Sequence, residues 1–238
     1  MIRFLLLFFV LKEMNDLICP DNFNGVRAFF TMRSLGSDIS RISNILSIEE
    51  DDIFFPVQRH TDNILVIGSD LKPAIADAVV TDRKRLLLGV KVADCVPILL
   101  FDRKRAIIGA VHAGWRGTAA QIIRKTIRLM MEDFGSSPLD IAVALGPSIR
   151  KKCYHVDREV KEAVCNATGE GDYYTEDING KYCIDLSNAN ILQVQSLGVP
   201  VENIWSSDEC TFCNPEKYYS FRYRKDGNGR QGGFIGIL

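Results

Sequence analysis

The chain has 238 residues, 47% of them apolar and 25% charged, with 29 Lys+Arg against 30 Asp+Glu for a net charge of −1. These proportions fit a globular protein with a full core and exclude disorder over the whole chain. They also argue against a strongly basic nucleic-acid binder, which needs surplus cations to neutralise phosphate. The three histidines, His60, His112 and His155, exclude any site that needs many imidazoles from one chain.

Residues 1–10 read MIRFLLLFFV, an apolar run behind Arg3 that imitates a signal peptide. It is shorter than the roughly 20 residues a membrane span needs, and no small-residue cleavage pattern follows it. Met14 is therefore the expected start, with residues 1–13 an N-terminal extension and residues 14–238 one domain. The seven cysteines, Cys19, Cys95, Cys153, Cys165, Cys183, Cys210 and Cys213, are scattered and odd in number. They read as free thiols in a reducing, cytoplasmic setting, with no membrane partner expected.

Strands are expected over 25–31, 64–67, 85–92, 96–101 and 106–111, where β-branched and leucine-rich runs are broken by polar turns. Residues 118–134 carry apolar side chains at spacings of three and four and end at Gly135, which predicts one amphipathic helix. A strand follows at 141–145, then helices at 157–164 and 185–197, and further strands at 204–205 and 234–237. This order predicts an α+β single domain with mixed β-sheets flanked by helices rather than a doubly wound parallel sheet.

The turn at 102–105 joins two of these strands as a hairpin. Cys95 lies just before the first strand and His112 just after the second, so the open end of the hairpin holds both. His60 precedes the strand at 64 and reaches the same edge. Two imidazoles and one thiolate suit zinc, leaving a fourth position for water whose pKa falls to about 7; copper tolerates the same set. The same atoms also suit a metal-free thiolate nucleophile with His112 as its base. Gly114 and Gly117 flank Arg116 ahead of the helix expected at Thr118, a turn that reads as an anion cradle. Asp94 is a candidate for orienting a ligand or capping a strand. Cys210-Thr211-Phe212-Cys213 matches Cys-x-x-Cys and reads as structural thiols in preference to a redox or metal pair. His155 reads as a surface or packing residue.

Several segments together resemble one family: Gln58-Arg59-His60, Asp77-Ala78-Val79-Val80-Thr81, Ala93-Asp94-Cys95-Val96-Pro97 and His112-Ala113-Gly114-Trp115-Arg116-Gly117-Thr118. Gly146-Pro147-Ser148-Ile149, Cys153-Tyr154, Asp185-Leu186, Cys210-Thr211, Tyr219-Ser220-Phe221-Arg222 and Gly229-Arg230 follow in the same order. The chain is thereby similar, from about residue 27 onward, to the laccase-domain family. Members of that family are named multicopper polyphenol oxidase, purine nucleoside phosphorylase or peptidoglycan editing factor. The resemblance implies a fold similar to the cysteine-dependent deamidase toxins and metal ligation by His60, Cys95 and His112, which would also be the catalytic residues. It implies zinc, or alternatively copper, as cofactor. It further implies phosphorolysis of adenosine, inosine and methylthioadenosine, and deamination of adenosine, with purine nucleoside and phosphate as small-molecule partners. Arg116, Arg222 and Arg230 are the candidate substrate-binding residues. The alternatives are a cysteine hydrolase or amidase that edits peptidoglycan precursors, and a copper-dependent polyphenol oxidase. A laccase with blue and trinuclear centres needs about ten histidines, since imidazole is the usual copper ligand; this chain has three.

Overall fold

The structure, a computed structural model, describes residues 16–238 except 69, 177–179, 226 and 228. The expected extension over residues 1–13 and the expected start at Met14 lie outside the described residues. No helix among the described residues is long and apolar enough to cross a membrane.

In chain order the elements begin β1 (Leu17–Ile18), β2 (Arg27–Thr31), α1 (Ile39–Leu46), β3 (Ile53–Phe54), β4 (Ile64–Val66), β5 (Ala78–Thr81) and β6 (Leu87–Val92). The central run is β7 (Val96–Asp102), β8 (Ile107–Ala113), α2 (Trp115–Ala119), α3 (Ile122–Phe134) and β9 (Ile141–Leu145). There follow β10 (His155–Val156), α4 (Arg158–Thr168), β11 (Tyr174–Glu176), β12 (Tyr182–Ile184), α5 (Leu186–Gln195), β13 (Ile204–Ser206) and β14 (Gln231–Gly236).

The strands form a six-stranded sheet, β13-β9-β7-β8-β5-β4, a five-stranded sheet, β1-β2-β14-β6-β3, and a small sheet, β10-β12-β11. The large sheets are mixed: β13 runs parallel to β9, β4 to β5 and β3 to β6, and the other pairs are antiparallel. This is the expected α+β single domain.

The period-2 alternation of strands builds the layers. Along β7, Val96, Ile98 and Leu100 face the helical side, whereas Leu99 and Phe101 join the core shared with the five-stranded sheet. β9 repeats the pattern, with Ile141, Val143 and Leu145 on one face and Ala142 and Ala144 on the other. On the five-stranded sheet Phe30, Leu88 and Ile235 face inward, and Phe29, Leu87 and Phe234 pack beneath α1. Every residue of β7, β8 and β9 is buried, as their unbroken apolar runs require.

One helix expectation is corrected. Residues 118–134 are not one helix: α2 starts earlier, at Trp115, and α3 begins only after Gln121, which sits in the left-handed region at φ 60°. The break has a visible cause. The Thr118 carbonyl, which a continuous helix would give to residue 122, accepts instead from the Gln121 N–H at 3.0 Å and the Gln193 side-chain amide at 3.0 Å. The Thr118 hydroxyl is held by Asn190 of the same helix α5 at 2.9 Å. Asp157 and Asp185 lie just outside the helices they were expected to open. Asp185 caps α5 by accepting from the Asn188 N–H at 3.0 Å.

Gly146, where the chain leaves β9, packs directly against Phe30 of β2 and so joins the two large sheets. A Cβ there would stand 2.3 Å from Phe30 Cδ1, and Phe30 is stacked on Trp205 with ring centroids 5.9 Å apart. Gly146→Ala should therefore cost about 1–3 kcal/mol through overpacking. At roughly 2–4 °C per kcal/mol for a chain of this size, a thermal melt reads the loss directly. An unchanged melting temperature would show that the sheets are not locked at this contact.

Candidate metal and catalytic centre

The β7–β8 hairpin aligns Pro97 with His112 and Val96 with Ala113, so Cys95 and His112 stand at the same end of the sheet. His112 lies inside β8 rather than after it and is 4% exposed. His60 arrives on the loop before β4. Its Nε2 is 3.9 Å from Cys95 Sγ, and its ring meets the His112 ring edge-on with centroids 4.8 Å apart. The three donor atoms all lie within 4.8 Å of one another.

This convergence depends on Asp77, which is fully buried at the start of β5. Its Oδ1 is 2.7 Å from His112 Nδ1 and accepts from the His60 N–H at 3.0 Å. Its Oδ2 accepts from the Arg59 N–H at 3.1 Å, the Thr61 N–H at 2.6 Å and the Thr61 hydroxyl at 2.8 Å. Burial opposes the charge on Asp77, but the bonds from His112, Thr61 and Arg59 outweigh it. They hold the carboxyl well below the usual carboxylate range. His60 sits at φ 59°, a left-handed conformation costly for a histidine and sustained here by the same carboxylate. With Nδ1 of His112 bonded to Asp77, Nε2 is left to face the other two donors, the arrangement that carboxylate–histidine pairs give to metal ligands.

Gly114 makes the approach possible. A Cβ there would stand 3.0 Å from Cys95 Sγ and 3.1 Å from His60 Cδ2. Asp94, beside Cys95, turns at φ 84° and lines the same cavity. It accepts from the Thr211 hydroxyl at 2.6 Å and from the Arg222 N–H at 2.7 Å, so it anchors the C-terminal segment against the hairpin.

The donor set fits a thiophilic metal. With Zn–S of about 2.3 Å and Zn–N of about 2.0–2.1 Å, tetrahedral sulfur and nitrogen ligands stand roughly 3.5 Å apart, close to the 3.9 Å between Cys95 and His60. Without a metal, the trio polarises itself. Burial opposes ionisation of Cys95, yet the charge on His112 and bonds from both histidines bring the thiol down to about 6. Burial likewise opposes charge on His112, but Cys95 and Asp77 raise it to about 9.

The trio opens onto a cavity of about 590 Å³, and Arg116, Arg222 and Arg230 all line it together with His60, Cys95 and His112. Arg116 lies on α2 with its guanidinium over the Trp115 ring, 4.4 Å from the centroid. The expected cradle, a glycine-flanked turn ahead of a helix at Thr118, is thus corrected: Gly117 is buried inside a five-residue helix capped by Gly114. Arg222 is 5.0 Å from the Tyr154 ring centroid and donates to the His155 carbonyl at 2.9 Å. Arg230 donates to the Gly229 carbonyl at 2.7 Å. His155 is exposed on β10, in line with the surface or packing role expected of it.

Sequence reasoning assigned no role to Asp77 or Tyr154. Aspartate at the head of a fully buried strand was the available signal for the first. Tyr154 follows Cys153 and lines the cavity; burial and the Cys95 charge push its phenol up to about 12.

Asp77→Ala should destabilise the protein by about 3–5 kcal/mol, because the buried imidazole and the amides of residues 59–61 lose their common acceptor. Asp77→Asn, which keeps one acceptor oxygen, should cost less. Urea midpoints at constant m-value test this. A loss below about 1 kcal/mol for Asp77→Ala would mean that these donors find other partners.

The family described as multi-copper polyphenol oxidoreductase laccase matches residues 33–238. The chain is 38% identical to a purine nucleoside phosphorylase of Clostridium acetobutylicum, over 77% of this chain and 76% of that protein. It is 31% identical to an adenosine deaminase from an unknown prokaryotic organism, over 94% of this chain and 98% of that one. The crystal structure of YfiH, a hypothetical protein of Bacillus licheniformis, superposes with a TM-score of 0.87 at 27% identity, over 94% of this chain and 97% of that one. YlmD from Geobacillus stearothermophilus superposes with a TM-score of 0.85 at 28% identity, over 91% and 93% of the two chains. With the match to the family covering most of its length and its fold shared with these structures, the chain belongs to the multi-copper polyphenol oxidoreductase laccase family.

Proposed function

We propose that this chain is a metal-dependent enzyme of purine nucleosides, acting by phosphorolysis of adenosine, inosine and methylthioadenosine and by hydrolytic deamination of adenosine. The observation that carries this reading is a single cavity in which the His60–Cys95–His112 trio meets aromatic faces and three arginines. The relatives named purine nucleoside phosphorylase and adenosine deaminase support it. The seven free thiols fit a cytoplasmic enzyme.

His60 Nε2, Cys95 Sγ and His112 Nε2 are the atoms that would hold zinc, and copper tolerates the same donors. Zinc bound there would supply Lewis acidity and lower the pKa of water to about 7. Asp77 keeps His112 in the tautomer that presents Nε2. Phe55, Trp115 and Phe221 line the cavity and give it aromatic side chains suited to a purine. Arg116, Arg222 and Arg230 offer charge-assisted donors to phosphate, which in phosphorolysis attacks C1′ of the ribose as the bond to the base breaks. Tyr154 stays protonated near neutrality and keeps an O–H in the cavity. Three histidines in the whole chain do not furnish a four-copper oxidase centre, which leaves the oxidase reading at most a single copper at the trio.

A second reading rests on the alignment of Cys95, His112 and Asp77. A thiol brought down to about 6, beside an imidazole oriented by a carboxylate, is the arrangement of a cysteine hydrolase or amidase, here one acting on peptidoglycan precursors.

Turnover of adenosine and inosine, with and without phosphate, on zinc-loaded and chelator-stripped protein tests the first reading. Base release should require both phosphate and metal, and His60→Ala or His112→Ala should lose metal and activity together. Cys95→Ser should reduce turnover at least about 100-fold; full activity there would overturn both readings. Metal-independent release of an amino acid from a cell-wall precursor would select the second. Arg116→Ala should raise the KM for phosphate about 10-fold or more, the worth of one charged hydrogen bond, with a smaller effect on nucleoside. An unchanged phosphate KM would remove Arg116 from the anion site.

A further inference from the structure

A second group of ligand atoms lies away from the trio. Cys153, on the loop between β9 and β10, meets the Cys210–Cys213 turn, and the three sulfurs lie within 4.8 Å of one another. Cys153 Sγ is 3.2 Å from Cys213 Sγ, across 60 positions of sequence. Cys210 is 8% exposed, whereas Cys213 faces solvent.

The turn is shaped to stabilise a thiolate at Cys210. The Arg150 N–H donates to its sulfur at 3.4 Å, and the N–H groups of Phe212 and Cys213 point at the same atom. A disulfide between Cys153 and Cys213 would leave unexplained why backbone donors converge on the third sulfur, Cys210.

We propose that Cys153, Cys210 and Cys213 form a second metal site, for a thiophilic ion of the zinc type, with a fourth position on the solvent side at Cys213. Sulfurs around tetrahedral zinc stand about 3.8 Å apart, from Zn–S bonds of about 2.3 Å. The closest pair, Cys153 and Cys213 at 3.2 Å, would open by about 0.6 Å to take the ion. The site staples the wall of the main cavity. Cys153 adjoins Tyr154, which lines that cavity, and Thr211, between the two cysteines of the turn, donates to Asp94 beside Cys95. Its role is structural, and it does not depend on the reaction assigned to the first site.

The test uses full-length, reduced, metal-stripped protein and Zn2+ alone. A His60→Ala/His112→Ala protein, with the first site disabled, should still bind one Zn2+ per chain, and adding the exposed Cys213→Ser should abolish that ion. Co2+ in the same double variant should give a thiolate-to-metal charge-transfer band, lost with Cys213→Ser. Peptide mapping on wild-type protein is independent of how the variants fold: Zn2+ should protect Cys153, Cys210 and Cys213 from iodoacetamide, and a chelator should restore their labelling. Unchanged labelling on Zn2+ addition, or a folded double variant that binds no Zn2+, would overturn the proposal.

Discussion

The centre depends on one buried carboxylate. Asp77 accepts from the imidazole of His112, the hydroxyl of Thr61 and three consecutive amides, those of residues 59 to 61. A carboxylate taken out of water is costly unless its lone pairs are filled, and here they are filled by the loop and the strand that carry two of the three ligand atoms. The same bonds that make burial of Asp77 tolerable fix the His112 ring and hold His60 in a left-handed turn. Orientation of the ligands and stability of the fold are therefore one requirement.

Asp94 is the counterpart on the other side of Cys95. Asp77 ties β5 to the His60 loop, and Asp94 ties the hairpin end to Thr211 and Arg222 of the C-terminal segment. Between the two carboxylates stand Cys95 and Gly114, where the absence of a side chain lets sulfur and imidazole approach. The cavity is thus walled by segments far apart in sequence and joined through short polar contacts. Two neighbours of the three cysteines reach that wall: Tyr154, next to Cys153, lines it, and Thr211, between Cys210 and Cys213, bonds to Asp94.

The sheet core and the trio were legible in the sequence because both follow from local pattern. Unbroken apolar runs at 96–101 and 106–111, with a charged turn between, specify a hairpin, and the hairpin brings Cys95 to His112. The split between α2 and α3 was not legible. Residues 118–134 keep helical periodicity, and the break comes from Asn190 and Gln193, some 70 positions later, capturing Thr118. The small sheet β10-β12-β11 and helix α1 were missed because short elements carry too few residues for periodicity to show. Asp77 was visible as part of a motif, but its role depends on where residues 59–61 fold back. The Cys210–Cys213 pair reads from sequence as structural thiols, because nothing local shows that Cys153 is folded beside it.

Asp77 sets His60, Cys95 and His112 around one coordination position. Crystals of zinc-loaded protein, with diffraction recorded on both sides of the zinc absorption edge, test it most directly. The expected result is an anomalous peak bonded to Cys95 Sγ and to Nε2 of both histidines, with His112 Nδ1 still on Asp77. A zinc-saturated protein with no peak at this trio, or with His112 turned away from Asp77, would contradict it.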